Sequence, residues 1–230
     1  MGKAKEIAWT VRNIAPWDSV TNPEGRLLYK LAKRCKNGCI VEIGSWKGRS
    51  TIWLAKGSLA GCNPTVYAID PHTGTATHEQ YNRKETLDEF HLNMKEAEVT
   101  NIVKPLVMTS EKASKGWDKS VGFAFIDGSH DYKSVLFDFT TWACCMANGG
   151  VAALHDTVGY DGPHKVAINH LFKSRKFAHI GVCHKITYAR KVPRCGNLTM
   201  LWKLLLLQVW RIYAHLYFMV AKVKMGTGKK

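Results

Sequence analysis

The sequence alternates between short apolar runs and segments with the residue spacing of helices, and this alternation constrains the fold more than any other feature. Each run holds about five consecutive apolar residues, without the alternation of apolar and polar residues that marks a half-exposed strand. The runs lie at residues 39–43, 65–70, 101–108, 121–127 and 149–156, and the segments with helical spacing include 49–60, 85–98 and 131–146. Strands buried on both faces have this composition, so the pattern predicts an α/β fold with a mostly parallel sheet and helices on both faces.

Polar residues follow where the apolar runs stop. Right-handed crossovers place the carboxyl ends of parallel strands along one edge of the sheet, where open α/β sheets bind ligands. The residues expected at that edge are Glu42 to Gly44, Asp70, Met108 to Ser110, Asp127 to His130, and His155 with Asp156. The sequence therefore predicts one ligand site that collects these side chains.

The first loop, EIGSWKGRS at residues 42–50, is rich in glycine but matches no phosphate-binding signature. Trp46 stands where a dinucleotide-binding loop has its middle glycine, and no G-K-[ST] closes the loop as it does in a P-loop. Gly44 and Gly48 are expected to allow a tight turn and to leave room for a cofactor. Asp70 ends the next strand, at a position that accepts hydrogen bonds from ribose hydroxyls in such folds.

Four strings in this order, VEIGSWKGRST, YAIDPH, FAFIDGSHDYKSVLFDF and NGGVAALHD, resemble class I S-adenosylmethionine-dependent methyltransferases. The branch that the chain resembles contains small-molecule and sugar O-methyltransferases, including cephalosporin-hydroxylase-like and rhamnosyl methyltransferase-like proteins. The resemblance covers residues 24–160. It implies a Rossmann-like, mostly parallel seven-stranded sheet, which an antiparallel strand pair at residues 177–190 completes. The methyltransferase domain is accordingly expected at residues 1–192, with a basic, apolar helix and tail at 193–230.

The resemblance also implies which residues bind S-adenosylmethionine. It places Glu42, Gly44, Ser45 and Gly48 in the cofactor loop. Ser50 would hold the methionine carboxylate, Asp70 the ribose and Ser110 the adenine. Asp127 is expected beside the cofactor as well.

Methyl transfer from a sulfonium is an in-line displacement, so the enzyme must position an oxygen nucleophile and remove its proton. The resemblance places the catalytic base at His130, with Asp127 and His155 beside it as catalytic residues. Asp127, His155 and Asp156 would hold Mg²⁺ or Mn²⁺, although Ser129 and His155 depart from the residues usual in the metal-dependent relatives. His72, His78 and His91 are expected to be structural or surface residues.

The net charge of +15 belongs to the last third of the chain. No Asp or Glu follows Asp161, whereas fourteen Lys and Arg do, and the residues up to Asp161 carry nineteen bases and eighteen acids. Residues 198–223 are very apolar, with a narrow stripe of Gln208, Arg211, His215 and Lys222. Three interpretations stay open for this segment: an amphipathic helix on an anionic membrane surface, a helix docked on the body, or a homo-oligomer contact.

These observations favour an O-methyltransferase that acts on a sugar, a glycan or another small molecule, at the inner face of a membrane if the last segment binds lipid. The seven cysteines form no regular framework and the first residues carry no targeting signal, which favours the cytoplasm. The basic last third is also compatible with a second hypothesis, an RNA methyltransferase, although no RNA-binding module is recognisable. A protein that binds a cofactor or a membrane without catalysis is the third hypothesis.

Overall fold

The computed structural model describes residues 2–14, 19–73 and 83–227. Its centre is a seven-stranded sheet with the strand order β3-β2-β1-β4-β5-β7-β6. The strands are β1 (Cys39–Ile43), β2 (Val66–Ile69), β3 (Val103–Leu106), β4 (Val121–Ile126), β5 (Met146–Leu154), β6 (Phe177–Cys183) and β7 (Ile186–Lys191). The first five strands are parallel, and β7 runs antiparallel to β5 and β6. The predicted Rossmann-like sheet and its antiparallel C-terminal pair are thereby confirmed.

Helices cover both faces of the sheet. They are α1 (Lys3–Thr10), α2 (Asn22–Lys33), α3 (Arg49–Leu59), α4 (Arg83–Glu96), α5 (Ser110–Ser114), α6 (Tyr132–Cys145), α7 (Asp161–Val166) and α8 (Asn197–Thr227), and a π-helical stretch at Ala167–Phe172 continues α7. Two apolar clusters result, one on each face of the sheet. Neighbouring strand residues divide between them: Ile40 packs with Trp53 and Phe90, and Val41 packs with Phe139 and Trp142. This two-sided burial explains why the strand sequences are continuously apolar.

The strand order reverses direction at β1, which lies between β2 and β4. Ile43 pairs with Ile69 on one side and with Ile126 on the other. A crevice forms at such a switch point beyond the carboxyl ends of the strands. The loop after β1 therefore lies between the residues that follow β2 and those that follow β4.

Helix α8 packs on the body through a narrow stripe, formed by Lys203, Leu207, Trp210 and Ala214, all buried. The Nζ of Lys203 donates hydrogen bonds to the backbone carbonyls of Ser174 and Phe177, so this lysine belongs to the body contact and not to an exposed cationic stripe. Within the described residues, no helix combines the length and apolarity needed to cross a membrane.

Candidate active site

A cavity of about 950 Å³ opens at the carboxyl edge of the sheet. The predicted residues that line it are Gly44, Ser45, Ser50, Asp70, Ser110, Asp127, His130, His155 and Asp156. These residues come from five separate parts of the sequence, so the fold brings the predicted set together. Glu42 and Gly48 are not part of the cavity wall, although the sequence predicts both as cofactor residues.

The two loop glycines have backbone conformations and close neighbours that disfavour a side chain. Both have positive φ angles, +85° at Gly44 and +86° at Gly48. A Cβ atom at Gly44 would lie 2.2 Å from the carbonyl oxygen of Asp127, and one at Gly48 would lie 2.4 Å from the Cε of Met94. Each glycine therefore lets the loop pack closely against the residues after β4 or against α4, and the predicted role of both in leaving room for a cofactor stays a prediction.

Asp70 ties the first loop to the end of β2. Its Oδ2 accepts a hydrogen bond from the backbone N–H of Trp46 at 2.8 Å, and its Oδ1 accepts one from the N–H of His72 at 2.7 Å. Trp46 has a φ of +43°, so this bond supports a backbone conformation that is uncommon outside glycine. Each carboxylate oxygen keeps a further lone pair for a ligand hydroxyl, and the ribose assignment of Asp70 remains a prediction.

Of the three histidines that are predicted to be structural or surface residues, two lie within the described residues. His72 is buried and lines the cavity, with its ring edge-on to Phe90. His91 also contacts Phe90 edge-on. His78 lies outside the described residues. The position of His72 was not anticipated, because the sequence gives no reason to separate it from the other two.

Ser45 carries an unpaired polar group at the cavity wall. The residue is 2% exposed, and its Oγ has no hydrogen-bond partner among the residues that the structure describes. A buried hydroxyl left unpaired costs about 1–3 kcal/mol, which a ligand that bonds to it would recover. Ser110, by contrast, accepts a bond from the indole N–H of Trp142 at 2.9 Å.

Glu42 lies beneath the loop, fully buried in β1, where its carboxyl group contacts the hydroxyls of Ser50 and Thr51. Burial raises its pKa from 4.5 to about 8, and the two hydroxyls offset only part of this rise. The carboxyl group is therefore mostly protonated at neutral pH. It supports the start of α3 from below instead of facing a ligand.

We expect the substitution Glu42→Gln to remove a pH-dependent loss of stability. Between pH 4.5 and 8 the unfolded carboxyl group is ionised while the folded one stays protonated, so the free energy of unfolding falls as the pH rises, by roughly 5 kcal/mol. Glutamine does not ionise, so the variant should gain stability over the parent chain at pH 8 but not at pH 5. Urea unfolding at both values measures this, with Glu111→Gln at an exposed position as the control. Equal pH profiles for both variants would show that Glu42 is ionised in the folded protein.

His130 and Asp156 form a pair at the carboxyl ends of β4 and β5. The Nε2 of His130 lies 3.1 Å from Asp156 Oδ2, and its ring stacks on Tyr160 with 4.0 Å between centroids. The Nζ of Lys185 lies 3.0 Å from the other oxygen of Asp156. Burial alone would raise the pKa of Asp156, but its contacts with His130, His155 and Lys185 lower it well below the usual range. An ionised, fixed carboxylate therefore orients the His130 ring.

His155 is enclosed by carboxylates. Its Nδ1 lies 3.0 Å from Asp127 Oδ1 and 3.2 Å from Asp156 Oδ2, and its Nε2 lies 3.5 Å from Glu24 Oε1. Burial alone would lower the pKa of His155, but these carboxylates raise it well above the usual range. Both ring nitrogens then carry protons, and a protonated imidazole is neither a metal ligand nor a base. In this state His155 counters the charge of the three acids around it, and its predicted metal-binding and catalytic roles stay predictions.

Sequence reasoning missed two residues at or next to the site, Glu24 and Asp138. Glu24 in α2 forms a capping box with Thr21, and its other oxygen accepts a bond from the backbone N–H of Lys185 at 2.9 Å. Asp138 in α6 is buried at the cavity wall, where burial raises its pKa to about 6. The T-x-x-E spacing reveals Glu24 as a helix cap, but no sequence signal places it beside His155.

The family of the chain is identified by the sequence from β1 to the residues that follow β5. A profile of the family described as "Methyltransferase domain" matches residues 41–157, more than half of the chain. The chain belongs to this methyltransferase family. The prediction of a class I, S-adenosylmethionine-dependent methyltransferase is confirmed by this match together with the fold.

Solved structures share the fold of this methyltransferase at low sequence identity. The O-methyltransferase TomG from Streptomyces achromogenes, in complex with SAM, is 19% identical with a TM-score of 0.60, over 84% of this chain and 90% of that one. An O-methyltransferase from Bacillus cereus, in complex with SAH, is 18% identical with a TM-score of 0.59, over 82% and 90%. A protein from Corynebacterium glutamicum is 14% identical with a TM-score of 0.65, over 86% and 93%.

Proposed function

We propose that this methyltransferase transfers the methyl group of S-adenosylmethionine to a hydroxyl group, with His130 as the general base. The observation that carries the proposal is the His130–Asp156 pair, which lies at the same cavity as the loop after β1. TomG and the Bacillus cereus protein are both O-methyltransferases of similar fold, and this supports oxygen as the acceptor atom.

The chemistry of the base follows from which ring nitrogen faces Asp156. Because Nε2 lies 3.1 Å from the carboxylate, it carries the proton of the neutral ring, and Nδ1 is left to accept the proton of the acceptor hydroxyl. The imidazolium that forms is stabilised by Asp156. S-adenosylmethionine would supply the methyl group to the deprotonated oxygen by in-line displacement, with S-adenosylhomocysteine as the other product.

The cofactor would lie across the loop after β1. Ser45 would supply the unpaired hydroxyl, Ser50 stands in the first turn of α3 where an anion is favoured, and Asp70 would accept hydrogen bonds from the ribose hydroxyls. Ser110 would lie near the adenine, next to Asp138. S-adenosylmethionine supplies the transferable methyl group, and the chain supplies orientation and the base.

The acceptor that we propose is a sugar, a glycan or another small hydroxyl compound. The wall around His130 includes Tyr160, Lys185 and Ser129, and so combines an aromatic ring with hydrogen-bonding groups. Such a wall suits a polar, multiply hydroxylated molecule better than an apolar one.

The same cluster decides whether a divalent ion fits. One atom each from Asp127, His130 and Asp156 lie within 4.8 Å of one another, and this donor set is acceptable to Mg²⁺ or Mn²⁺. Two cations already neutralise the acids, because protonated His155 contacts both carboxylates and Lys185 contacts Asp156. A divalent ion would face both positive charges at close range. These residues therefore do not fit a resident metal ion.

The test combines cofactor binding with turnover. Calorimetry should detect S-adenosylmethionine binding, and a panel of sugars, glycosides and phenols should include an acceptor that gains the mass of one methyl group. We expect EDTA to leave the rate within about twofold, because the base needs no metal ion. Absence of cofactor binding would contradict the proposal, and binding without turnover on any hydroxyl acceptor would favour a non-catalytic protein. A rate that EDTA abolishes and Mn²⁺ restores would contradict the metal-free mechanism alone.

A further inference from the structure

The outward side of α8 is an exposed apolar face, opposite the stripe that packs on the body. It is formed by Leu201, Trp202, Leu205, Val209, Ile212 and Leu216, each more than half exposed. From Leu201 to Leu216 the face extends about 22 Å along the helix, at 1.5 Å per residue. A contiguous apolar surface of this size is uncommon on a monomer and marks a place where something binds.

The body fixes this face in its outward direction. Trp210 stacks on His164 with 4.6 Å between ring centroids, and Lys203 donates to two backbone carbonyls. Because both residues lie on the inner stripe, the helix cannot rotate its apolar side inward without losing these contacts. Among the described residues, the face is therefore not buried against the body.

The charge around the face indicates its partner. Arg211 and His215 are exposed on one flank, and the whole chain after Asp161 holds fourteen Lys and Arg without one acid. A second copy of the chain would bring one basic flank against another, at an electrostatic cost. A bilayer with anionic headgroups matches both properties, since it buries the apolar side chains and attracts the bases.

The face also adjoins the candidate active site. The Oη of Tyr213 on α8 donates to the backbone carbonyl of His184 at 3.2 Å, and the next residue, Lys185, lines the cavity and contacts Asp156. On the other side, His164 belongs to α7, which begins directly after the cavity residue Tyr160. A surface bound by α8 would therefore lie near the cavity.

We propose that the apolar face of α8 docks the protein on an anionic lipid surface without crossing it. The bases flanking the helix contact the headgroups, and Trp202, Leu205 and Ile212 enter the boundary with the acyl chains. This docking goes beyond methyl transfer and does not depend on it. It would hold the cavity close to acceptors that are displayed at the membrane.

Co-sedimentation with vesicles tests the proposal, without cofactor or acceptor present. The full chain should bind vesicles of equal parts phosphatidylcholine and phosphatidylglycerol, bind phosphatidylcholine vesicles more weakly, and leave the anionic vesicles as the salt concentration rises. Ile212→Glu and Leu205→Glu should each weaken binding by about tenfold or more, since a charge replaces a buried apolar side chain. Leu92→Glu is the matched control, because Leu92 is 55% exposed on α4, close to the 53% of Leu205. It should bind as the parent chain does.

A second measurement is independent of the folding of these variants. Trp202 is 68% exposed, so tryptophan emission should shift to shorter wavelength when vesicles are added, and Trp202→Phe should remove most of the shift. No binding to anionic vesicles, or equal loss in Leu92→Glu, would overturn the proposal. A dimer in light scattering that Ile212→Glu dissociates, without vesicle binding, would assign the face to a second copy instead. Salt-sensitive retention on RNA but not on vesicles would assign the charge to nucleic acid. Failure of methyl transfer alone would leave the docking unaffected.

Discussion

His130→Ala should lower the rate of methyl transfer by a factor of about 10² to 10⁴ and leave the affinity for S-adenosylmethionine nearly unchanged. The reason is that His130 would supply the proton acceptor, and its Nε2 contacts Asp156 rather than any residue of the loop after β1. Single-turnover rates with a saturating acceptor, together with calorimetry of the cofactor, measure the two effects separately. His130→Gln should be nearly as slow, since an amide can hydrogen-bond to Asp156 but cannot take up the proton of the acceptor hydroxyl.

The control for this substitution is His164→Ala. His164 also stacks on an aromatic ring, with an interplanar angle of 19° to Trp210 against 23° between His130 and Tyr160. It lies outside the cavity wall. Loss of the stack alone should therefore leave the rate of His164→Ala within about threefold of the parent chain. If His130→Ala keeps its rate, or if both variants slow equally, His130 is not the base.

The strand ends were predictable from the sequence because their signal is local. An apolar run that stops at an acid or a glycine marks the end of a buried strand, and the parallel topology then places all such ends on one edge. Asp70, Asp127 and Asp156 were located in this way, and the structure places all three at one cavity. The antiparallel pair β6–β7 came from the resemblance and not from periodicity.

The parts that could not be predicted depend on contacts between distant segments. Glu24 reaches His155 across more than a hundred residues, and its sequence context shows only a helix cap. The state of His155 depends on the three acids around it, which a motif comparison does not reveal. Asp138 has the spacing of an ordinary helix residue, and only the packing of α6 buries it at the cavity.

Gly44→Ala should destabilise the fold by about 3 kcal/mol or more, and Gly149→Ala by only about 1 kcal/mol. Both glycines have the same φ, +85°, so the strain of a left-handed alanine is common to the two variants. The two positions differ in the space available for a Cβ atom. A Cβ at Gly44 would lie 2.2 Å from the carbonyl oxygen of Asp127, whereas one at Gly149 would have nothing within 4 Å. The difference in stability between the two variants therefore isolates the steric contact between the loop and β4.

Urea unfolding of the two variants gives this difference, and a thermal midpoint lower by roughly 10 °C for Gly44→Ala would agree with it. The clash involves the backbone of Asp127 and Gly128, directly after β4, which no rotamer change can move, so relief requires the loop to separate from these residues. Because Asp127 follows β4 and Ser45 follows Gly44, this separation should also weaken S-adenosylmethionine binding in the folded fraction, whereas Gly149→Ala should bind normally. Equal stability losses would mean that the first loop can accommodate a Cβ atom at Gly44 without a steric clash. In that case the glycine would serve a ligand, as its sequence pattern alone suggests, and not the packing of β1 against β4.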